Sequence, residues 1–356
     1  MASADQLIAN LEGLNLNSFA NELERVRARD ALFEALRKVQ TPWDIVWDHN
    51  WVNGATNASI KTLIEAGLFT EWAESGGAPK TTTELAELTG VDEVLIKRML
   101  RQISGQQLIT ETVPDTYKPT PWATALATDP ALASCYGEFY AQLNNPMFRS
   151  LPYFLKKTGF KNPTDDLAIN SEMVGSFHAA MQCHSKYNLT SWCEVYPTDS
   201  IVGAKKEGVP LVVDVGDGSL VLQDLPDVVR GMKVDKAISV QGYDFFTPQP
   251  VKGARAYFMH NVLHDWTDDL AVKINENIAS AMEKGYSRLL IHESLISSAK
   301  PLARVTTSDL TMMACLSAKE RTESECGQLV ESAGLKVVKI WRPPLSVESI
   351  IEAELV

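Results

Sequence analysis

Three ionisable residues carry the chemistry that this chain of 356 residues offers. His264 stands in the run His264-Asp265-Trp266, directly after the apolar segment AYFMHNVL. An imidazole titrates near neutrality, so a ring placed there can take a proton at physiological pH. Glu293 closes a second apolar run, LLIHE, and Glu320 lies in AKERT at the expected start of a helix. A basic ring held by a carboxylate is the general arrangement of an activated proton acceptor. A single histidine is more often structural. Two acids at matching places make a catalytic His264 the better reading.

A second set of residues suits a ligand. Val212-Val213-Asp214-Val215-Gly216-Asp217-Gly218 is an apolar run ending in acids and glycines. Glycines at a strand end let a ligand approach the backbone. The Asp-x-Gly-x-Gly order suits pyrophosphate less well than GxGxxG. An acid in that loop suits a cationic or zwitterionic group. Asp224 ends the next run, LVLQDLP, where an acid commonly takes ribose hydroxyls. Asp244, beside Phe245 in GYDFF, can flank an adenine. The plain alternative for each acid is a solvated loop or a helix cap.

These residues need a frame. LVVDVG, LVLQDLP, ARAYFMHNVL, SRLLIHESLI and LKVVKIW read as buried strands, with a helix over Leu270–Lys284. Apolar strands alternating with helices mean a parallel sheet in an α/β layer. One junction resists this scheme. Gly218 and Ser219 lead at once into Leu220-Val221-Leu222, yet parallel neighbours need a crossover of about a dozen residues or more. Either the two strands are not parallel neighbours, or a stretch of about twenty residues is missing there.

The first third reads as helical. Phe19, Leu23, Val26, Leu32, Leu36 and Val39 recur at helical spacing, and Pro42 ends the pattern. Trp43, Trp47 and Trp51 sit four apart on one helical face, as a buried stripe or a surface for a second subunit. TTTELAELTG opens on Thr caps and ends at Gly90; VDEVLIKRMLRQISGQQL and the alternating LITETVPDTYKPT follow. Helix, turn, helix and hairpin make a winged helix–turn–helix. Lys97, Arg98 and Arg101 face Asp92 and Glu93, so a scaffold or dimer element fits better than a DNA reader. Between residues 123 and 200 aromatic and thioether side chains suit core and a flat apolar ligand.

Composition sets the outer bounds. The formal charge is −12, and no dense basic run occurs, which argues against nucleic-acid partners. No stretch of about 18 apolar residues is present, and the N-terminus lacks a signal-peptide pattern. Five scattered cysteines show no zinc spacing and read as reduced thiols, so a cytoplasmic enzyme without membrane contact or a metal is expected.

Taken together, ELAELTG…IKRMLRQI, VVDVGDG, LVLQDLPDVV, YDFFTPQPVKGARAYF, LHDW, AMEKGYSRLLIHE, DLTMM and KERTESE…LVESAGLKVVKIW resemble the class I S-adenosylmethionine-dependent O-methyltransferases of the plant and fungal type. The resemblance covers nearly the whole chain. It implies an α/β, Rossmann-like doubly wound sheet with a mainly α, winged-helix dimerisation domain before it. The implied boundaries are 1–122 for that domain, 123–200 for a helical linker lining the substrate cleft, and 201–356 for the cofactor-binding catalytic domain. It further implies S-adenosyl-L-methionine as cofactor, S-adenosylhomocysteine as product, a small hydroxylated substrate and a homodimer. Asp214, Gly216, Gly218, Asp224, Leu225, Asp244, Phe245, His260 and Ser185 would contact the cofactor. Phe177, Met181, His184, Met147, Trp266, Met312 and Met313 would face the substrate. His264 would be the general base, oriented by Glu293 and Glu320.

The chain departs from the family pattern in three places. Asp217 replaces a usual glycine and the helix after it is missing. His260 replaces a usual lysine or arginine. The stretch around Asp165 and Asp166 is short. The first two leave room for a second reading, a relative of natural-product biosynthesis that has exchanged methyl transfer for pericyclic or dehydration chemistry.

Overall fold

The computed structural model describes residues 4–163, 191–213, 220–299, 301–343 and 347–356. They fall into two compact units, one within residues 4–146, the other within 147–163 and 191–356. Among them no helix is long and apolar enough to cross a membrane.

In the first unit the caps that the sequence suggests are formed. Thr81 and Glu84 make a reciprocal capping box for the helix Thr82–Thr89, and Gly90 ends it at φ 68°, a backbone angle that favours glycine. The helix Glu93–Gly105 starts at Asp92, whose side chain accepts from Leu95 N at 2.9 Å. A small sheet follows, from β1 (Lys80–Thr81), β2 (Ile109–Val113) and β3 (Thr116–Pro119), in the order β1-β3-β2. Leu63, Trp72, Leu85, Ile96, Leu100 and Ile103 form its buried core. At the β2–β3 turn Asp115 pairs with Lys97 at 2.5 Å and Arg101 at 3.1 Å. Those two cations are therefore engaged within the fold.

Trp43, Trp47 and Trp51 overturn the buried reading. They pack on one another, with centroids 4.8 to 6.1 Å apart and only Trp47 and Trp51 stacked, but are 61%, 45% and 49% exposed. Phe33, Leu36 and Val39 on the helix Glu22–Val39 are exposed as well.

The second unit is a mostly parallel α/β sheet. Its strands are β4 (Val212–Val213), β5 (Leu220–Asp224), β6 (Ile238–Gly242), β7 (Ala256–His260), β8 (Arg288–Ile296), β9 (Arg321–Thr322), β10 (Leu335–Trp341) and β11 (Glu348–Leu355). The order is β10-β11-β8-β7-β4-β5-β6, with β9 against the end of β8. β8 to β6 run parallel, while β10 and β11 are antiparallel additions. Residues 256–259 are all buried because helices or loops cover both faces of β7, hence its unbroken apolar run. One face packs Tyr257, Met259, Leu289 and Ile291 on the helices Asp268–Ala279 and Glu323–Ser332. The other packs Phe258, Leu290 and Ile350 with Tyr196.

Two expectations need correction. β4 and β5 are parallel neighbours, with Val212 opposite Leu220, so the doubt about their pairing is removed. Six residues, 214–219, separate them in the sequence. Glu320 does not begin a helix; it precedes β9, and the helix starts at Glu323.

Candidate active site

β7 ends at His260, and Asn261 then takes the left-handed region at φ 52°, where asparagine is enriched. Asn261 N donates to His292 O at 3.1 Å, which ties this turn to β8. The short 3₁₀ turn Leu263–Asp265 follows and carries His264. Glu293, buried near the end of β8, accepts from Leu263 N at 2.6 Å and His264 N at 3.1 Å through one oxygen. Its role is to satisfy backbone donors that the tight turn leaves without carbonyl partners.

The ring of His264 is held from the other side. Its Nδ1 is 2.9 Å from Glu320 Oε1, which also accepts from Ser308 Oγ at 2.6 Å. Glu320 N in turn donates to Asp309 Oδ1 at 3.0 Å. Ser308 and Asp309 lie on the helix Ala303–Leu316, whose neighbouring turn bears Met312 and Met313, both half-buried. Met147 also reaches this helix, with its Sδ 3.0 Å from Cys315 Sγ.

The electrostatics follow from this crowding. Burial works against a charged imidazole. Even so, the hydrogen bond to Glu320 and the charges of Asp265, Glu320 and Glu293 push the His264 pKa up to about 9. Burial raises Asp265 to about 6, against the pull of His264. Burial also raises Glu293, with His264 and Arg321 opposing.

Arg321 is a site residue that sequence reasoning missed. It is 2% exposed and donates to Leu263 O and Trp266 O at 2.7 Å each, and to Asp268 Oδ1 at 2.9 Å. Its fork clamps both ends of the His264 turn. The run AKERT contains it, but a buried arginine has no local pattern that announces it.

The ligand-binding expectations divide by region. Asp214, Gly216, Gly218, Ser185, Phe177, Met181 and His184 lie outside the described residues. Asp224 ends β5 opposite Gly242 at the end of β6, so the acids of both loops share one rim of the sheet. A Cβ on Gly242 would stand 3.2 Å from Pro226, so the two segments close tightly there. Asp224 is exposed and accepts from Leu225 N at 2.7 Å; exposed Asp244 accepts from Phe246 N at 3.0 Å. Both keep acceptor capacity for hydroxyl and amino groups. Phe245 and Trp266 pack edge-to-face at 5.8 Å, and Trp266 meets Phe246 at 4.8 Å, which places these rings against the core. Half-buried His260 turns toward Glu348 on β11, with Nε2 to Oε2 at 3.1 Å.

A family model described as an O-methyltransferase domain matches residues 204–336. The O-methyltransferase mfmE of Annulohypoxylon moriforme is 34% identical over 383 positions, covering 98% of this chain and 95% of that protein. The chain belongs to the S-adenosylmethionine-dependent O-methyltransferases. The O-methyltransferase ATR12 of Stachybotrys chlorohalonatus is 31% identical and covers 99% of each chain. In the alignment with mfmE, 383 positions hold about 349 residues of this methyltransferase (98% of 356), so the relative has about 34 positions without a counterpart here. Solved structures share the fold. LepI in complex with SAM matches at TM-score 0.87 and 22% identity over 99% of this chain and 100% of that one. OxaC in complex with SAH and oxaline matches at TM-score 0.77 and 24% identity over 99% and 98%. Asp224, at the end of β5, and Asp244, two residues beyond the end of β6, offer carboxylate acceptors of the kind that hydroxyl and amino groups of an adenosine would need.

Proposed function

We propose that this methyltransferase acts on a hydroxyl of an aromatic or polyketide-type secondary metabolite, with His264 as general base. The observation that carries this is the 2.9 Å contact of His264 Nδ1 with Glu320 Oε1. With Nδ1 donating to the carboxylate, the neutral ring presents Nε2 as an acceptor, beside Asp265 Oδ1 at 3.4 Å. A phenol with a pKa near 10 attacks poorly until its proton begins to leave. His264 Nε2 takes that proton, Glu320 stabilises the imidazolium, and Glu293 and Arg321 keep the turn in place. The bound cofactor supplies a methyl group already activated on sulfur. Proximity and orientation then lower the barrier further.

The same reading gives the exposed tryptophan stripe a partner, a second copy of this chain through the N-terminal unit. It places the winged-helix arrangement in that dimer rather than on DNA. The test is incubation of the purified chain with methyl-labelled S-adenosylmethionine and a panel of phenols. Label in a phenolic product supports the reading, and its absence across the panel overturns it.

One observation favours a second reading, a fold of this family that performs pericyclic or dehydration chemistry. The link between β4 and β5 has only six residues, where the family carries a helix. Unlabelled product formed in the same incubation would support that reading.

A further inference from the structure

On β8, His292 and Glu293 are consecutive, so their side chains leave opposite faces of the sheet. Glu293 serves the His264 turn. His292 faces a separate cluster on the opposite face, which includes His260 and Glu348. Its cross-strand partner is His260 on β7, and the two rings stack at 4.5 Å with 20° between planes. Glu348 on β11 lies on the same face, since Ile350 is the residue opposite His292. Its Oε2 is 3.1 Å from His260 Nε2 and 3.5 Å from His292 Nε2.

We propose that His260, His292 and Glu348 bind one divalent transition-metal ion, zinc, which pins β7, β8 and β11 together and fixes the turn that carries His264. Two imidazoles and a carboxylate are a ligand set that zinc accepts. Bonds of about 2.0–2.1 Å in a tetrahedron place ligand atoms about 3.3 Å apart. The two nitrogen–oxygen distances bracket that value, and all three ligand atoms lie within 4.8 Å of one another.

The hydrogen-bond inventory points the same way. His292 is 2% exposed, and neither ring nitrogen has a hydrogen-bond partner. A buried polar ring left this way is costly unless something accepts its lone pair. Asn261 Oδ1 is buried and equally unsatisfied. The Asn261 amide nitrogen is 3.3 Å from His260 Nε2 and 3.2 Å from Glu348 Oε1. A half-turn of that amide puts its oxygen in the same place, as a fourth ligand.

The test uses the full chain, stripped with a chelator, dialysed and titrated with Zn²⁺ and separately with Co²⁺. One zinc per chain is expected, with a rise in melting temperature. Co²⁺ should give a visible band of nitrogen and oxygen coordination. Glu348→Gln and His292→Leu should each abolish uptake. Metal-free His292→Leu should be at least as stable as the metal-free parent, because it removes an unpaired buried ring. Failure of the parent to take up one equivalent overturns the proposal. So does uptake that survives in Glu348→Gln, or a sulfur-to-cobalt band marking a cysteine site. Should His292→Leu not fold, parent uptake and the near-isosteric Glu348→Gln still decide the matter.

Discussion

His264 Nδ1 lies 2.9 Å from Glu320 Oε1, and this contact decides which nitrogen of the ring is available. Nδ1 is committed to the carboxylate, so in the proposed mechanism proton transfer runs through Nε2, which lies 3.4 Å from Asp265 Oδ1. The raised basicity matters for phenols. A base at about 9 faces a phenol near 10 with a deficit of about one pKa unit, or about 1.4 kcal/mol. An ordinary imidazole would face about 3.5 units, or nearly 5 kcal/mol. The cost is that most rings carry a proton at neutral pH.

Replacing His264 by Ala should lower turnover by about two to four orders of magnitude. Cofactor affinity should hold nearly constant, because the acids expected to contact it lie on the ends of β5 and β6. Single-turnover methyl transfer and calorimetric titration with S-adenosylmethionine measure the two quantities separately. Unchanged turnover would remove His264 as the base.

Glu320→Gln keeps the shape of the side chain and removes its charge. With that carboxylate gone, the His264 pKa must fall from about 9 toward its ordinary 6.5. The rising limb of kcat/KM against pH should therefore move to lower pH. Turnover on the plateau should drop by roughly 10²-fold or more, because the base is weaker and its tautomer is no longer enforced. A pH profile that does not move would show that Glu320 has no electrostatic hold on the ring.

The parts of this arrangement visible in the sequence were those written locally. His264 follows the apolar strand β7, as its sequence suggests, whereas Glu293 lies within β8, which runs on to Ile296, and Glu320 directly precedes the short strand β9. β6 and β11 were not read as strands. ISVQG is short with little apolar contrast, and ESIIEAEL mixes acids into a run buried on both faces. Ser308, Asp309 and Arg321 escaped for a different reason. Their meaning depends on a helix and a loop brought together across the fold, which no spacing encodes. The tryptophan stripe was legible as a stripe. Whether it faced a core or another chain was not, because helical periodicity is the same for both.

The His264 pair also predicts a pH dependence of stability. Its folded pKa, about 9, exceeds the ordinary 6.5, so the folded state binds the proton more tightly. That contribution is fully present below about pH 6.5 and is lost as pH rises through 9. Melting temperatures of the parent should fall across this window more steeply than those of His264→Ala. Parallel curves would contradict the raised pKa.

Arg321→Ala should destabilise the second unit by about 3 kcal/mol or more, since it removes a buried cation with three hydrogen-bonded partners. Arg321→Lys should recover only part of this, because an ammonium cannot span Leu263 O, Trp266 O and Asp268 together. Both variants should lose turnover along with stability. Urea melts paired with kinetics would expose the alternative, a stability loss that leaves the His264 turn functional.

The exposed stripe supplies the last expectation. Trp43, Trp47 and Trp51, with Phe33, Leu36 and Val39, place large apolar groups in water on one short region. A patch of that kind marks an interaction surface, and aromatic rings are the side chains that carry most interface energy. Trp47→Glu introduces a charge that a self-associating surface would have to bury unpaired on both copies, which costs several kcal/mol. Light scattering should find the parent as a dimer and Trp47→Glu as a folded monomer with an unchanged circular dichroism spectrum. A parent that is monomeric at micromolar concentration would remove the second copy as the partner of this surface.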